Sequence, residues 1–221
     1  MRKFLSKRRL QILSVISILL ICYHFMVRPI ILDWGANQTL QELPLSGDTF
    51  TSGDRHTRAV LINAPPEKIW PWIVQIGQER GGFYSHQWLE NLFFADMKNV
   101  YRIESKLQQP RSVGDTVWLA NRERYHGGGY QVIAEITPAR SYVMLGGSDF
   151  DRLQKGLKAS GSWALYLYPQ SDSTTWFIAR SSGGDISFGE KVLRYFTFEV
   201  PHFIMEIRML NTIKRLTETK S

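Results

Sequence analysis

The chain has 221 residues, a formal net charge of +7 and one cysteine. This length suits one globular domain with an appendage, and a single cysteine excludes an internal disulfide framework. Residues 1–33 carry six basic side chains against one acidic, or +5 of the net +7, so the remainder lacks the concentrated basic charge of a nucleic-acid-binding domain.

The N-terminal region predicts a membrane anchor. Leu10 to Val27 contains no charged residue and would span roughly 27 Å as a helix, close to the thickness of a bilayer core. We therefore predict a basic flank at residues 1–9 and a transmembrane anchor at residues 10–32. The flank favours a cytoplasmic N-terminus, with the globular domain outside.

A cleaved signal peptide is the alternative for this region. Cleavage requires small residues at the cleavage site, and the stretch Ile21-Cys22-Tyr23-His24 supplies none. An uncleaved anchor is therefore the prediction. Residues 33–55 are polar and predict a linker, or a segment lying over the domain surface, which leaves residues 56–221 as the folded domain.

A strand and a divided helical region open the domain. Arg58 to Ala64 predicts the first strand, with the short apolar run Ala59 to Ile62 between Arg58 and Asn63. Pro65 or Pro66 suits the first turn of a helix, Pro71 should kink that helix or keep its first half short, and Gly77 can end it. Ser85 is then the predicted N-cap of a second short helix.

After Val100 the apolar period changes from about 3.6 residues to 2. Successive alternating segments with short turns predict an antiparallel meander, and a Gly/Asp/Lys-containing loop separates the third segment from the fourth. The predicted strands are Thr116–Ala120, Tyr130–Ile136, Ser141–Leu145, Gly161–Tyr168 and Thr174–Ser181.

The C-terminal region returns to a helical period. Phe188 to Thr217 should be helical, with Pro201 dividing it. Beyond the proline, an apolar stripe requires a large apolar surface, which the sheet can supply. The predicted fold class is therefore α+β. The stripe consists of Met205, Met209, Ile213 and Leu216.

Several motifs follow one another along the domain. They are Ala64-Pro65-Pro66-Glu67, Trp70-Pro71-Trp72, Arg80-Gly81-Gly82-Phe83-Tyr84-Ser85, Trp88-Leu89-Glu90-Asn91 and Val113-Gly114-Asp115. In this order they resemble the SRPBCC superfamily (START/polyketide-cyclase-like), and in particular an uncharacterised bacterial subgroup in which some members carry an N-terminal membrane segment. The similarity covers roughly residues 34–217. It implies the helix-grip fold, in which a curved antiparallel sheet wraps around a long C-terminal helix and leaves a cavity for apolar molecules. Only some branches of the superfamily are catalytic.

The segment from Arg80 to Asn91 holds most of the candidate ligand contacts. Aromatic side chains there would form an apolar wall, and a few polar groups would orient a ligand at the mouth of the cavity. The alternative is a structural role, with a tight Gly81-Gly82 turn, a core Trp88 and an Arg80–Glu90 salt bridge. The candidate ligand-binding residues are Arg80, Tyr84, Trp88, Glu90, Asn91 and Trp118.

No complete catalytic or metal-binding motif accompanies these residues. His126-Gly127-Gly128-Gly129 is similar to a lipase oxyanion loop, but no Gly-x-Ser-x-Gly nucleophile motif is present. His86 and Glu90 have a spacing compatible with two metal ligands, without an evident third. We therefore predict no catalytic residue, no metal site and no cofactor.

The sequence favours a membrane-anchored domain that binds a hydrophobic or amphipathic, lipid-like small molecule. One alternative is an enzyme of the cyclase or hydratase kind that uses a buried Glu or Tyr in the same cavity. Another is a non-catalytic interaction protein of the cell envelope. The predicted partners are the membrane and a small molecule, and no nucleic acid; the oligomeric state is left open.

Overall fold

The computed structural model describes residues 7–184 and 187–219. Residues 1–6, which hold most of the predicted basic flank, lie outside this part. The fold is α+β, with one six-stranded antiparallel sheet in the order β1-β6-β5-β4-β3-β2. The strands are β1 Arg55–Ile62, β2 Thr116–Trp118, β3 Tyr130–Thr137, β4 Ser141–Gly146, β5 Gly161–Ser171 and β6 Thr174–Gly183.

Helices precede the sheet, connect its strands and follow it. Lys7–Leu32 is one continuous apolar helix that contains a π-helical turn at Tyr23–Val27. The α-helices are α1 Lys7–Cys22, α2 Arg28–Leu32, α3 Gln38–Glu42, α4 Pro66–Val74, α5 Gln87–Leu92, α6 Gly147–Gln154, α7 Phe188–Thr197 and α8 Glu199–Glu218.

All the predicted strands are present, and α8 lies across the concave face of the sheet as in the helix-grip fold. Ile213 and Met209 of α8 are buried in one apolar cluster with Ile62 of β1 and Ile69 and Ile73 of α4. The predicted apolar stripe of the C-terminal helix is thus confirmed. A bulge between Ile133 and Glu135 of β3 adds to the twist of the sheet.

The break in the C-terminal helical region has a clear physical cause. The C-terminal helical region is divided, as predicted, but the break lies at Phe198, three residues before Pro201. Pro201 causes this break because its ring would clash with the carbonyl of Thr197, four residues earlier.

Residues 147–154 were predicted as part of a loop, and that prediction is wrong, since they form α6. The buried Asp149 carboxylate fixes that helix by accepting hydrogen bonds from the backbone N–H and hydroxyl of Ser160, each at 2.7 Å.

Residues 33–50 cover the opposite, convex face of the sheet. Leu40 of α3 packs there against Val143, Ile178 and other buried residues. Gly35 approaches β1 so closely that a Cβ atom would lie 2.1 Å from the carbonyl oxygen of Ala59, and its φ of +75° also favours glycine. The segment predicted as a linker or a surface segment therefore forms part of the packed domain.

A buried arginine holds this segment in place. The Arg180 guanidinium donates hydrogen bonds to the carbonyl oxygens of Leu40 at 2.7 Å and Leu43 at 2.8 Å, and to the Asp48 carboxylate at 2.8 Å. Its side chain is 1% exposed. Arg55 contacts the same Asp48 oxygen at the same distance, but its side chain is 43% exposed.

The N-terminal helix joins the domain at its C-terminal end. Ile31 and Leu32 are buried, and Arg28 forms a two-bond ion pair with Glu199 of α8, both bonds at 2.8 Å. Most of the preceding residues of this helix are exposed, with Tyr23 and Arg28 partly buried. By length and composition, Lys7–Leu32 could cross a membrane, although a signal sequence would have the same properties.

The two arginines that share Asp48 should differ sharply in their effect on stability. Arg180→Met leaves buried carbonyl and carboxylate groups without a donor, so we expect a loss of about 3–5 kcal/mol in the free energy of unfolding. Arg55→Met removes an exposed ion pair and should cost under about 1 kcal/mol. Denaturant unfolding of the full chain in detergent measures both. Equal losses of unfolding free energy in the two variants would show that Arg180 is not the residue that holds residues 40–48 in place.

Candidate functional site

A cavity of about 620 Å³ lies between the concave face of the sheet, the residues around α5 and the junction of α7 with α8. It lies at one end of the sheet. Because neighbouring strands are antiparallel, β2 and β4 end there and β3 and β5 begin there. Leu119, Gly146, Gln131 and Gly161 line it at those positions. Several connections therefore meet at one opening.

Much of the cavity wall is apolar. Phe83 and Phe93 come from the chain on either side of α5, and Trp163 comes from β5. Phe83 and Trp163 pack ring against ring, with centroids 5.9 Å apart. Helix α8 adds two methionines, whose flexible side chains adapt to different apolar surfaces. These are Met205 and Met209.

An ion-paired network forms part of the same wall. Glu206 of α8 is almost fully buried; its carboxylate accepts hydrogen bonds from the Arg58 guanidinium at 2.7 Å and from the Trp163 indole N–H at 2.6 Å. Arg58 also donates to the carbonyl of Ile31, at 2.7 Å. Every strong acceptor in this network has a donor, which is what allows a buried charge pair to persist.

His202 extends the network toward the cavity. Its Nδ1 lies 3.2 Å from the Arg58 guanidinium, and because a guanidinium can only donate, Nδ1 is the acceptor and Nε2 carries the proton. Burial lowers the pKa of His202, which favours this neutral form. Its Nε2 lies 3.7 Å from the Glu206 carboxylate, and the residue lines the cavity.

Glu90 is the second carboxylate in the cavity wall. It is 5% exposed; one of its oxygens accepts a 2.6 Å hydrogen bond from the Ser85 hydroxyl, and the other has no partner in the described part of the chain. Burial raises the pKa of this carboxyl group. The side-chain oxygen of Gln131, which lines the same cavity, is also without a donor. Buried acceptors left unpaired cost about 1–3 kcal/mol each, and a ligand donor would remove that cost.

The predicted capping role of Ser85 is wrong. Helix α5 begins at Gln87 with His86 as its N-cap, and no side-chain cap is present. The Ser85 hydroxyl donates to Glu90 instead. The Ser85 hydroxyl therefore binds the Glu90 carboxylate in the cavity wall and does not cap the helix.

Two of the predicted contact residues, Arg80 and Tyr84, lie away from the cavity wall. The Tyr84 hydroxyl is fully buried and accepts a 2.7 Å hydrogen bond from Gln75, and burial raises its pKa. Arg80 donates to the carbonyl of Leu107, and burial together with the neighbouring Arg111 lowers its pKa. Both side chains connect loops around the domain.

The remaining candidates, Asn91, Trp88 and Trp118, have other surroundings. The Asn91 amide forms two hydrogen bonds with the backbone of Met97, at 2.5 and 3.0 Å. Trp88 is 68% exposed, and Trp118 packs against Tyr130, with ring centroids 5.3 Å apart. Among the six candidates, Glu90 lines the cavity, and ligand contact by any of them stays a prediction.

The residues that the sequence did not identify are Arg58, His202 and Glu206. A usable signal was present, because Arg58 interrupts the inward positions of the first strand and Glu206 interrupts the apolar stripe of the last helix. Opposite charges on two surfaces that are predicted to pack together indicate a buried ion pair. Pro201 adds to this signal, because it places the helix break next to His202.

Comparison with known proteins adds a set of distant structural likenesses. No protein-family model and no curated protein matches the chain. The self-sacrificing resistance protein CalC from Micromonospora echinospora is 11% identical, with a TM-score of 0.44 over 77% of this chain and 99% of its own. The Aha1 protein from Colwellia psychrerythraea is 12% identical, with a TM-score of 0.40 over 76% and 99%. At these values, no ligand or function is carried over from either protein.

Glu90→Gln should stabilise the domain in a pH-dependent way. Because burial raises the folded-state pKa of Glu90 above its unfolded value, its ionisation destabilises the fold, and this penalty is absent below the ordinary carboxyl pKa of about 4.3. It grows as the pH rises from that value to the folded-state pKa and is constant above it. We expect the variant to melt above the native protein at pH 8, and the two to converge near pH 4.

The exposed Glu79 offers a matched control. Glu79→Gln should leave the melting temperature close to that of the native protein across the same pH range. Thermal unfolding of the full chain in detergent at several pH values makes the comparison. A Glu90→Gln difference that does not change with pH would argue against an ionisation penalty at this position.

Proposed function

We propose that this protein is a membrane-anchored domain that binds an amphipathic small molecule, with the apolar part of the ligand in the cavity and a hydrogen-bond donor of the ligand at Glu90. The observation that carries this proposal is the unpartnered carboxylate oxygen of Glu90 in a largely apolar wall. A hydroxyl or ammonium group on the ligand would match it. The cavity volume of about 620 Å³ falls in the range of about 300–1,000 Å³ typical of small-molecule sites.

The membrane anchor is the second part of the proposal. The exposed apolar surface of Lys7–Leu32 and the resemblance to the SRPBCC subgroup with membrane segments both support it. The basic residues before Leu10 favour a cytoplasmic N-terminus and a globular domain on the other side. A lipid-like ligand would then be available from the adjacent bilayer.

The cavity also supports an enzymatic alternative. Glu90 has a pKa raised by burial and His202 one lowered by burial, and both line the cavity. A carboxyl group with a raised pKa and an imidazole with a lowered pKa at one site are a usual starting point for general acid–base chemistry. A cyclase or hydratase would turn a bound ligand over, whereas a binding protein would release it unchanged.

A substitution that narrows the cavity should abolish ligand binding. Ser181 lines the cavity and lies on the same face of β6 as Phe177 and Ala179, so Ser181→Phe fills space there. At about 100 times its Kd, a ligand adds about 2.7 kcal/mol to native stability, and we expect this variant to lose most of that gain. Ser173→Phe, in the exposed turn at the far end of the same hairpin, is the control and should keep it.

The measurement combines native mass spectrometry of the full chain with thermal shifts in a panel of fatty acids, lysophospholipids and sterols. Analysis of the released molecules separates binding from turnover. Absence of any bound molecule, with no stabilisation by any member of the panel, would refute the binding function. That result would favour the non-catalytic interaction protein.

Membrane topology is tested separately. We expect a C-terminal alkaline phosphatase fusion to be active and a C-terminal green fluorescent protein fusion to be dark, because the first requires export and the second is dark after unfolded export. The reverse pattern would place the globular domain in the cytoplasm. In that case, the orientation inferred from the basic flank is wrong.

A further inference from the structure

The N-terminal helix and the cavity lie at the same end of the domain. Arg58 near the start of β1 donates to the carbonyl of Ile31, and Asp33 accepts a hydrogen bond from the Thr57 backbone at 2.8 Å. The cavity opens at this end of the sheet, where Ser181, the register partner of His56, lines it. A membrane that contains α1 would therefore face the cavity end of the domain.

Helix α7 lies between the anchor and the cavity. Its Tyr195 ring packs edge-on against Tyr23, with centroids 5.4 Å apart, and the Arg28 guanidinium lies 5.3 Å from the same ring. On its polar side, Arg194 and Thr197 line the cavity. Helix α7 thus contacts the last turns of the N-terminal helix. A membrane span would leave the bilayer core at those turns.

The outer face of α7 is apolar, and no residue of the described part of the chain covers it. Phe188 is 83% exposed, and Leu193 and Phe196 are each more than half exposed. Amphipathic helices with basic residues on the polar face and Phe or Leu on the other lie in the membrane interface. Lys191 and Arg194 supply the basic face here.

A second apolar group lies across the cavity mouth, on α5 and in the residues directly after it. Trp88, Leu92 and Phe94 are each more than 60% exposed, and the neighbouring Phe93 lines the cavity. Phe94 has a φ of +60°, a conformation that costs a bulky residue about 1–3 kcal/mol. The Arg124 guanidinium lies over its ring, 5.2 Å from the centroid. Tryptophan and basic side chains around exposed apolar groups are typical of the membrane interface.

We propose that these two groups form one membrane-docking surface and that the cavity mouth between them opens onto the bilayer. The docking surface consists of Trp88, Leu92 and Phe94 with Phe188, Leu193 and Phe196. Its occupant is the lipid bilayer that holds α1, because α7 is continuous with the contact surface of that helix and because basic side chains surround both groups. The inference rests on the anchor in the proposed function and does not require that a ligand binds in the cavity.

Site-specific fluorescent labels test the surface in the full chain. In a Cys22→Ser background, which removes the native cysteine, an environment-sensitive NBD dye is attached at Leu193→Cys or Phe94→Cys. The protein is reconstituted in vesicles of phosphatidylcholine and phosphatidylglycerol, with or without lipids that carry a doxyl quencher near the headgroup. We expect both labels to shift to the blue and to lose emission when the quencher is present.

Matched positions control for exposure alone. Val113 is an exposed apolar residue before β2, at the end of that strand opposite Leu119, which lines the cavity. A label at Val113→Cys should keep the emission of bulk water and resist quenching. A label at Ile16→Cys in α1 should be quenched by a doxyl group deep in the acyl chains, and failure there would refute the anchor and the docking surface together.

A paired charge substitution tests whether the surface acts as a unit. Leu193→Glu with Phe196→Glu should reduce the quenching of the label at Phe94→Cys, whereas Val113→Glu should leave it unchanged. Unquenched labels at both Phe94 and Leu193, with Ile16 still quenched, would overturn the proposal. A blue shift without lipid quenching would indicate contact with a second copy of the chain and would overturn it as well. Ligand binding is read out separately, so either proposal can fail alone.

Discussion

The buried ion pair between Arg58 and Glu206 is the interaction on which the rest of the structure depends. It joins the first strand to the last helix at a separation of 148 residues, with an N–O distance of 2.7 Å. The same guanidinium binds the last turn of the N-terminal helix at Ile31, and the same carboxylate binds Trp163 in the cavity wall. The N-terminal helix, the sheet and the C-terminal helix therefore meet at one charge pair. Loss of either partner would leave the other buried and uncompensated, which typically costs about 3–5 kcal/mol.

This pair also explains why an apolar helix and an apolar sheet leave a cavity between them. Further along α8, Met209 and Ile213 close directly onto the sheet and are buried. At the ion pair, the helix must instead accommodate two charged side chains, an indole N–H and the neighbouring His202. Hydrogen-bond geometry then sets the separation in place of apolar packing. The break caused by Pro201 adds to the space between helix and sheet at this end. The chain before the break, α7, does not continue the line of α8.

The sequence predicted the fold well because its main signals are periodic. Alternation gave the strands, and the stripe through Met209 and Ile213 gave the last helix, since such patterns report directly on which face is buried. Helix α6 was missed because it depends on the tertiary bonds of Asp149 to Ser160. Most of the site was missed for the same kind of reason. The motif from Arg80 to Asn91 is rich in polar and aromatic residues, but several of them, such as Tyr84 and Asn91, bond neighbouring loops.

Glu90 and the exposed aromatic residues on either side of it illustrate how one short segment can serve two environments. Glu90 and Phe93 line the cavity, while Trp88 and Phe94 are directed outward. Six residues of α5 are too few to bury a full apolar face, so the apolar residues divide between the cavity and the surface. A surface that is apolar next to the mouth of a partly apolar cavity lowers the cost of moving an amphipathic molecule between the two, since its apolar part need not cross water. The N-terminal helix, the cavity and this surface lie at one end of the domain, which is the arrangement that the proposed exchange of a ligand with the membrane requires.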